Sequence, residues 1–325
     1  LPFGATLTAI QRELLIVIGT LLKQLVKALG GYVKYHAERL FGRRVVHEGT
    51  GAAVFSPPPG KFDWQVLGDE HNQIDVGGPS PTTLDLLVHE PKFVLDVGCS
   101  AGDFALQLKQ RFPVARVWGV EPSKAAARVA ARRLDRVLPE MIEKIDWNGE
   151  GVRRGDIDTV LLMDVLEHIY DPWTTLLTLR NLVSEQAQLL ISIPNVRNAL
   201  LMQDLAAGYW RYRRAGLLDI THIRFFALND MYRMFYQTGF RVVRTRNTQC
   251  NASEQILRDN RHGSFPKQVA LGTLSITVDS AEDLDNLCAL QHLFTLQPAS
   301  YEQLTPKERA FIDAPHPPTL AYAPS

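Results

Sequence analysis

The chain has 325 residues, of which 35 are basic, 35 acidic and 46% hydrophobic, a length that suits one catalytic domain with additions. Its formal net charge of zero provides no overall field for nucleic acid or an anionic surface, so partners must be recognised locally and nucleic acid is not expected among them. Three cysteines, Cys99, Cys250 and Cys288, are odd in number and lack paired metal-type spacing, which argues against a disulfide framework and structural zinc and predicts a reducing, cytoplasmic setting.

In chain order, Leu7, Ile10, Leu14, Val17, Leu21, Leu25 and Leu29 keep helical spacing and predict an amphipathic helix within an N-terminal appendage, residues 1–47. Its most apolar run, Leu14 to Leu22, is nine residues long, where a membrane span needs about twenty. Two readings stay open for this helix: packing on the body or on a second copy in a homo-oligomer, and lying on a membrane surface. Residues 48–90, with Ser56-Pro57-Pro58-Pro59-Gly60, read as a linker leading into the core.

Residues 91–247 change character. Short apolar runs at 93–97, 117–120, 159–163, 189–193 and 241–245 alternate with amphipathic stretches starting at Phe104, Lys124, Trp173 and Asn229. The alternation predicts an α/β, doubly wound, mostly parallel sheet whose ligands sit at the carboxyl ends of the strands. Asp171-Pro172 predicts a cap and first position for the helix at Trp173. Beyond Thr248 a polar stretch to Lys267 precedes a strand at 274–278 and a helix over 281–294. Residues 248–312 are expected to complete the sheet, and the proline-rich residues 313–325 to form a disordered tail.

The chemistry-bearing segment is Phe93-Val-Leu-Asp-Val-Gly-Cys-Ser-Ala-Gly-Asp-Phe104: a strand, a turn of small residues and a helix start. Such a turn lets backbone approach a ligand, and the helix start favours an anionic group. A dinucleotide fingerprint would need glycine at 100 and 103, where Ser100 and Asp103 stand, so NAD fits poorly. Twenty-five residues after Asp96, the run Arg116-Val-Trp-Gly-Val-Glu121 ends in an acid able to accept both ribose hydroxyl protons.

These segments resemble the class I S-adenosylmethionine-dependent methyltransferases over about residues 90 to 245. Val94 to Gly102 resembles their first motif, Val117 to Glu121 the second, and Val160-Leu-Leu-Met-Asp-Val-Leu-Glu-His168 the fourth-strand motif. The resemblance implies a seven-stranded Rossmann-like fold with S-adenosylmethionine as cofactor. It implies that Asp96 and the turn of Gly98, Cys99, Ser100 and Gly102 hold the methionine end, and that Glu121, followed by Pro122, holds the ribose. Ser100 replaces a glycine that many members carry. Two acids remain open for adenine: Glu140, beside the expected position at Met141, and Asp146, whose neighbour Trp147 offers a stacking face. Asp164 is placed for the cofactor's amino group.

Methyl transfer from a sulfonium needs an aligned acceptor and removal of its proton. His168 suits that task, its alternative being a structural histidine capping the strand end; His222 is the second candidate. Asp164, Glu167, His168 and His222 also form a possible magnesium or manganese set, unless Glu167 points away from the cleft. The fifth strand ends Ser192-Ile-Pro-Asn195, which is not the segment associated with methylation of nucleic-acid bases. Tyr209, Trp210 and Arg211, within a segment rich in aromatics and arginines, and Arg224 suit a sugar or phosphate, although that segment also reads as a solvated basic helix face. Asp219-Ile-Thr-His-Ile-Arg-Phe-Phe226 resembles a stretch of bacterial methyltransferases encoded among glycan and cell-surface assembly enzymes. That resemblance implies O-methylation of a sugar hydroxyl on a glycan, glycolipid or glycosylated metabolite. A quinone or phenol acceptor is the alternative, and a non-catalytic cofactor-binding scaffold a third reading.

Overall fold

The computed structural model describes residues 79–113 and 115–313; the expected appendage, most of the linker and the tail beyond Asp313 lie outside them. The strand β1 (Phe93–Val97) is buried at all five positions, as a central parallel strand covered on both faces requires. It feeds α1 (Asp103–Arg111), β2 (Arg116–Val120), α2 (Lys124–Ala130) and the short β3 (Arg136–Leu138). The second half runs β4 (Ile157–Met163), α3 (Pro172–Leu182) and β5 (Val183–Pro194), then α4 (Ala199–Ala206), α5 (Leu228–Gln237) and β6 (Phe240–Thr248). As expected, α3 starts at Pro172, with the Asp171 carboxylate accepting from the Thr174 amide at 3.0 Å.

After β6 come α6 (Asn251–Asn260), β7 (Lys267–Leu271), β8 (Leu274–Val278), α7 (Ala281–Cys288), β9 (Gln291–Pro298) and α8 (Pro306–Asp313). The seven-stranded sheet has the order β3-β2-β1-β4-β5-β9-β6. β1 to β5 pair in parallel, while β9 lies antiparallel between β5 and β6. The expected α/β architecture is therefore present, with one reversed strand.

Three local expectations are corrected. The helix from Ala281 stops at Cys288, and residues 291–294 belong to β9. Leu287, Leu290 and Phe294 continue the helical spacing, so periodicity alone reads one helix; pairing with two neighbouring strands overrides it. The stretch after Thr248, expected only as polar chain with no element assigned, holds α6. The strand at Leu274 pairs with β7 in a separate hairpin instead of joining the main sheet.

That hairpin packs with α4, α6 and α7 around Leu257, Val269, Leu271, Val278, Leu284 and Leu287. Gln291, the first residue of β9, pairs with both Pro194 and Thr248, the last residues of β5 and β6. The insertion between β6 and β9 thus leaves and rejoins the sheet at the edge where the parallel strands end. This places a small lobe at the edge where ligands are expected.

Candidate active site

The turn after β1 is built from left-handed backbone, with φ of +67° at Gly98, +47° at Ser100 and +80° at Gly102. The amides of Gly98 and Cys99 both donate to the Val120 carbonyl, at 2.8 and 3.1 Å, folding the turn onto the end of β2. A Cβ at Gly98 would stand 2.8 Å from Val165 Cγ2, so glycine is required by both backbone and space. Arg133 braces the far side, donating to the Ala101 carbonyl and pairing with Asp103.

Glu121 ties the two strand ends together: its carboxylate accepts from the Ser100 amide at 2.9 Å and the Ser123 amide at 2.7 Å. Each carboxylate oxygen keeps a further lone pair for a ligand hydroxyl. Asp96 and Glu121 are both buried. Burial, then the charge of Glu121, pushes the Asp96 carboxyl up to about 8. Burial raises Glu121 too, opposed by its two amide donors. Two acids with unfavourable charged forms suit a ligand bearing a fixed positive charge, such as a sulfonium, so these residues fit S-adenosylmethionine.

Other sequence-predicted contacts fall differently. The Cys99 thiol packs inward, where a Cβ at Gly119 would meet its sulfur at 2.5 Å, and burial raises its pKa. Pro122 is exposed beside Glu121. Glu140 is exposed and accepts from the Met141 amide at 2.9 Å. Asp146 closes a turn through the Gly149 amide at 3.1 Å. Trp147 is buried in the main apolar cluster with Ile142 and Val152, which corrects the expectation that it presents a stacking face.

Beyond β4, Asp164 adopts φ +56°, a strained value for a non-glycine residue. Ser192 holds it there: the Asp164 amide donates to Ser192 Oγ at 2.9 Å, and Ser192 Oγ donates to Asp164 Oδ1 at 2.7 Å. Gln291 Nε2 donates to the same oxygen at 2.8 Å. One turn of 3-10 helix (Leu166–His168) then carries Glu167 inward. The amides of Ile223 and Arg224 both donate to the Glu167 carbonyl, at 2.9 and 3.0 Å, fastening the Asp219–Phe226 segment over it.

The result is a compact trio. His222 Nε2 lies 3.9 Å from Glu167 Oε1, the His168 and His222 rings are 4.7 Å apart, and donor atoms of all three residues lie within 4.8 Å of one another. Glu167 is 1% exposed and neither carboxylate oxygen has a hydrogen-bond partner. Burial first, and then the charge of Asp164, pushes its pKa well above the usual carboxylate range. The alternative that Glu167 points away is thus set aside: its side chain is buried beside both histidines. Asp164 is absent from the trio, its Oδ1 being engaged by Ser192 and Gln291.

Both histidines are oriented by backbone. His222 Nδ1 lies 3.1 Å from the Leu217 carbonyl. His168 Nδ1 lies 3.3 Å from the Thr221 carbonyl and 3.1 Å from Thr221 Oγ1, whose own proton goes to Asp219 at 2.7 Å. Acceptors at both Nδ1 atoms favour the tautomer protonated there, leaving Nε2 with its lone pair. Imidazoles oriented in this way beside a carboxylate can hold a divalent cation or receive a proton.

The acceptor side is rimmed by exposed loop. Tyr209, Trp210 and Arg211 lie in non-helical chain after α4, which corrects the reading of a basic helix face. Arg211 stacks on Tyr209 at 3.8 Å, and Arg224 lies over Tyr170 at 4.7 Å while donating to the Tyr170 carbonyl. Sequence reasoning missed Ser192, Gln291, Asp219 and Thr221 as orienting residues. Asp219 and Thr221 had a signal in their two-residue spacing, typical of a side-chain-closed turn; Gln291 had none.

A family model described as a methyltransferase domain matches residues 81–245, just over half of the chain. The malonyl-[acyl-carrier protein] O-methyltransferase of Geobacter sulfurreducens is 29% identical over 161 residues, covering 47% of this chain and 57% of that protein; the match therefore spans little more than half of that relative's length. The ubiquinone biosynthesis O-methyltransferase of Aromatoleum aromaticum is 28% identical over 174 residues, covering 51% of this chain and 70% of that protein. A Thermotoga maritima crystal structure described as a SAM-dependent methyltransferase, possibly a histamine N-methyltransferase, aligns with a TM-score of 0.44 and 16% identity, covering 68% of this chain and 87% of that one. With the matched region running from the approach to β1 into β6 and the glycine turn and Glu121 within it, the chain belongs to the methyltransferase-domain family and has the class I S-adenosylmethionine-dependent fold.

Proposed function

We propose that the protein is an S-adenosylmethionine-dependent O-methyltransferase acting on a small phenol or quinol, with Glu167, His168 and His222 positioning and activating the acceptor hydroxyl. The single observation that carries this reading is Glu167, a buried carboxylate without a hydrogen-bond partner, facing two oriented imidazoles. Similarity to a ubiquinone biosynthesis O-methyltransferase supports the same acceptor class. A phenolic hydroxyl, near pKa 10, is about six units more acidic than a water-like alcohol and lies within reach of an imidazole base. The acceptor oxygen attacks the sulfonium methyl carbon as the carbon–sulfur bond breaks, giving the methyl ether and S-adenosylhomocysteine, while the hydroxyl proton leaves through His168 where its Nε2 is open, or to bulk water where a cation occupies the trio.

The trio also suits magnesium or manganese, and a bound cation would supply Lewis acidity at the acceptor oxygen. It would also explain why a carboxylate is kept in so dry a place. Calorimetry with manganese and an assay in chelator test this. Manganese binding that Glu167→Gln abolishes, with activity lost in chelator and restored by manganese, is the expected result. Activity that persists in chelator but falls about a hundredfold in His168→Ala would assign the trio to proton removal alone.

A sugar acceptor is the second reading, favoured by the exposed rings of Tyr209 and Trp210 beside Arg211. A tritiated-methyl transfer assay over phenols, sugars and lipid extracts separates the two: label entering only sugars would displace the phenol reading.

A further inference from the structure

Among the described residues, ten large apolar side chains are exposed, and seven of them lie on two neighbouring loops and the helix end beside them. Leu205 lies in the last turn of α4, Tyr209, Trp210, Tyr212, Ile223 and Phe225 belong to the segment between α4 and α5, and Tyr170 joins them beneath the Arg224 guanidinium. Soluble surfaces usually scatter such residues singly, so their concentration marks an interaction surface. Every residue from Gln203 to Gly216 is exposed. That run carries Arg211, Arg213 and Arg214 against one acid, Asp204.

The segment stands on a built base. Leu218 and Ile220 are buried, the Arg213 amide donates to the Leu218 carbonyl and the Ile220 amide to the Arg213 carbonyl, both at 2.8 Å. Its rings also lead inward: Trp210 meets Phe225 at 5.2 Å, and Phe225 meets His222 at 6.4 Å. The aromatic surface is therefore continuous with the histidine pair.

We propose that this face docks the protein on an anionic membrane surface, presenting the acceptor side of the cleft to the lipid. Tyrosine and tryptophan rings settle at the boundary between headgroups and acyl chains. Each arginine held near an anionic surface strengthens binding by roughly fivefold, an effect that salt screens. With a net formal charge of zero over the whole chain, the attraction is local to this patch. No described helix is long and apolar enough to cross a membrane, and the contact proposed here is a peripheral one. An acidic protein would answer the arginines, but interleaving of ring and guanidinium along Tyr209-Trp-Arg-Tyr-Arg-Arg214 fits a headgroup boundary better. The proposal concerns where the acceptor is met and stands whichever hydroxyl is methylated.

Flotation of the full chain with vesicles tests it, comparing phosphatidylcholine alone with phosphatidylcholine containing about one third phosphatidylglycerol. The expected result is binding to the anionic vesicles that weakens with salt. Arg213→Glu/Arg214→Glu should weaken it roughly tenfold or more, and Leu205→Ser/Tyr212→Ser should also weaken it; unchanged S-adenosylhomocysteine affinity verifies that each variant is folded. Absence of binding to either vesicle overturns the proposal. So does equal binding by wild type and variants, which would move the contact elsewhere, for example to residues 7–29. Binding to polyglutamate without binding to vesicles overturns it in favour of an acidic protein partner.

Discussion

The two halves of the cleft are constructed in opposite ways. On the cofactor side, a turn directly after the end of a buried strand is locked by backbone: the Val120 carbonyl takes two amides and Glu121 takes two more. On the acceptor side, the segment from Asp219 to Phe226 is clamped over Glu167 from more than fifty residues away, and the carboxylate beneath has no hydrogen-bond partner. The first half fixes its turn through backbone hydrogen bonds and is ready to receive a ligand of one shape. The second keeps an unsatisfied acid, and there we propose that a cation or proton arrives.

The most severe way to break this contrast is Gly98→Val. It adds a side chain at φ +67° and within 2.8 Å of Val165, so about 2 to 4 kcal/mol of stability should be lost from strain and overpacking together. Thermal unfolding should show the loss and calorimetry the disappearance of S-adenosylmethionine binding; wild-type values for both would mean the turn is not the constraint described. His222→Ala comes next. It should lower kcat by roughly a hundredfold while leaving cofactor affinity near wild type, because His222 belongs to the other half; a parallel loss of cofactor affinity would dissolve the division. Glu121→Ala should do the reverse, weakening S-adenosylmethionine by about ten- to a hundredfold through loss of charge-assisted hydrogen bonds, as read by calorimetry.

A smaller effect concerns pH. Asp96 is an acid whose folded pKa, about 8, is raised above its unfolded value near 4. Its contribution to stability is therefore fully present below pH 4 and is lost as pH rises through about 8. The melting temperature of unliganded protein should fall between about pH 6 and 8.5, and Asp96→Asn should flatten that slope. S-adenosylmethionine, carrying a sulfonium charge, should stabilise more strongly than S-adenosylhomocysteine, with the gap widening as pH rises. A gap that narrows instead would remove the electrostatic role given to Asp96. Smallest of all, Ser100→Gly should leave melting temperature and affinity unchanged or slightly raised, because it relieves a φ of +47°; a clear loss would assign the serine side chain a role of its own.

The same contrast explains what could be read from the sequence. Phe93–Val97, the glycine turn and Glu121 were legible because local geometry dictates their residue types: a buried parallel strand is apolar apart from an acid such as Asp96 that it carries to the site, and a left-handed turn beside a ligand must be small. The fourth-strand motif revealed His168 and Glu167 as candidates but not the direction of Glu167, which depends on two amides contributed by Ile223 and Arg224. Gln291 carried no signal at all, since its contact with Asp164 spans 127 positions. The strand it begins was read as helix because Leu287, Leu290 and Phe294 fit a period of 3.6 as well as the strand fits its own. Trp147 was misplaced for a related reason: an aromatic after an acid looks like a stacking face until the core closes over it.

The position of β9 also bears on how the protein comes into being. Leu189 pairs with Leu296, and Val242 pairs with the same residue from the other side. Until residues 291–298 are synthesised, the inner edges of β5 and β6 have no neighbour, and a growing chain presents two unpaired strand edges, that of β5 largely apolar, of the kind that pair with other chains. The glycine turn and Glu121 lie wholly within the part made earlier, so a nascent chain can carry a formed cofactor half while its acceptor half still waits for Gln291 to reach Asp164. Shortening the chain before β9 should consequently yield aggregation during synthesis, rather than a smaller soluble enzyme with altered specificity.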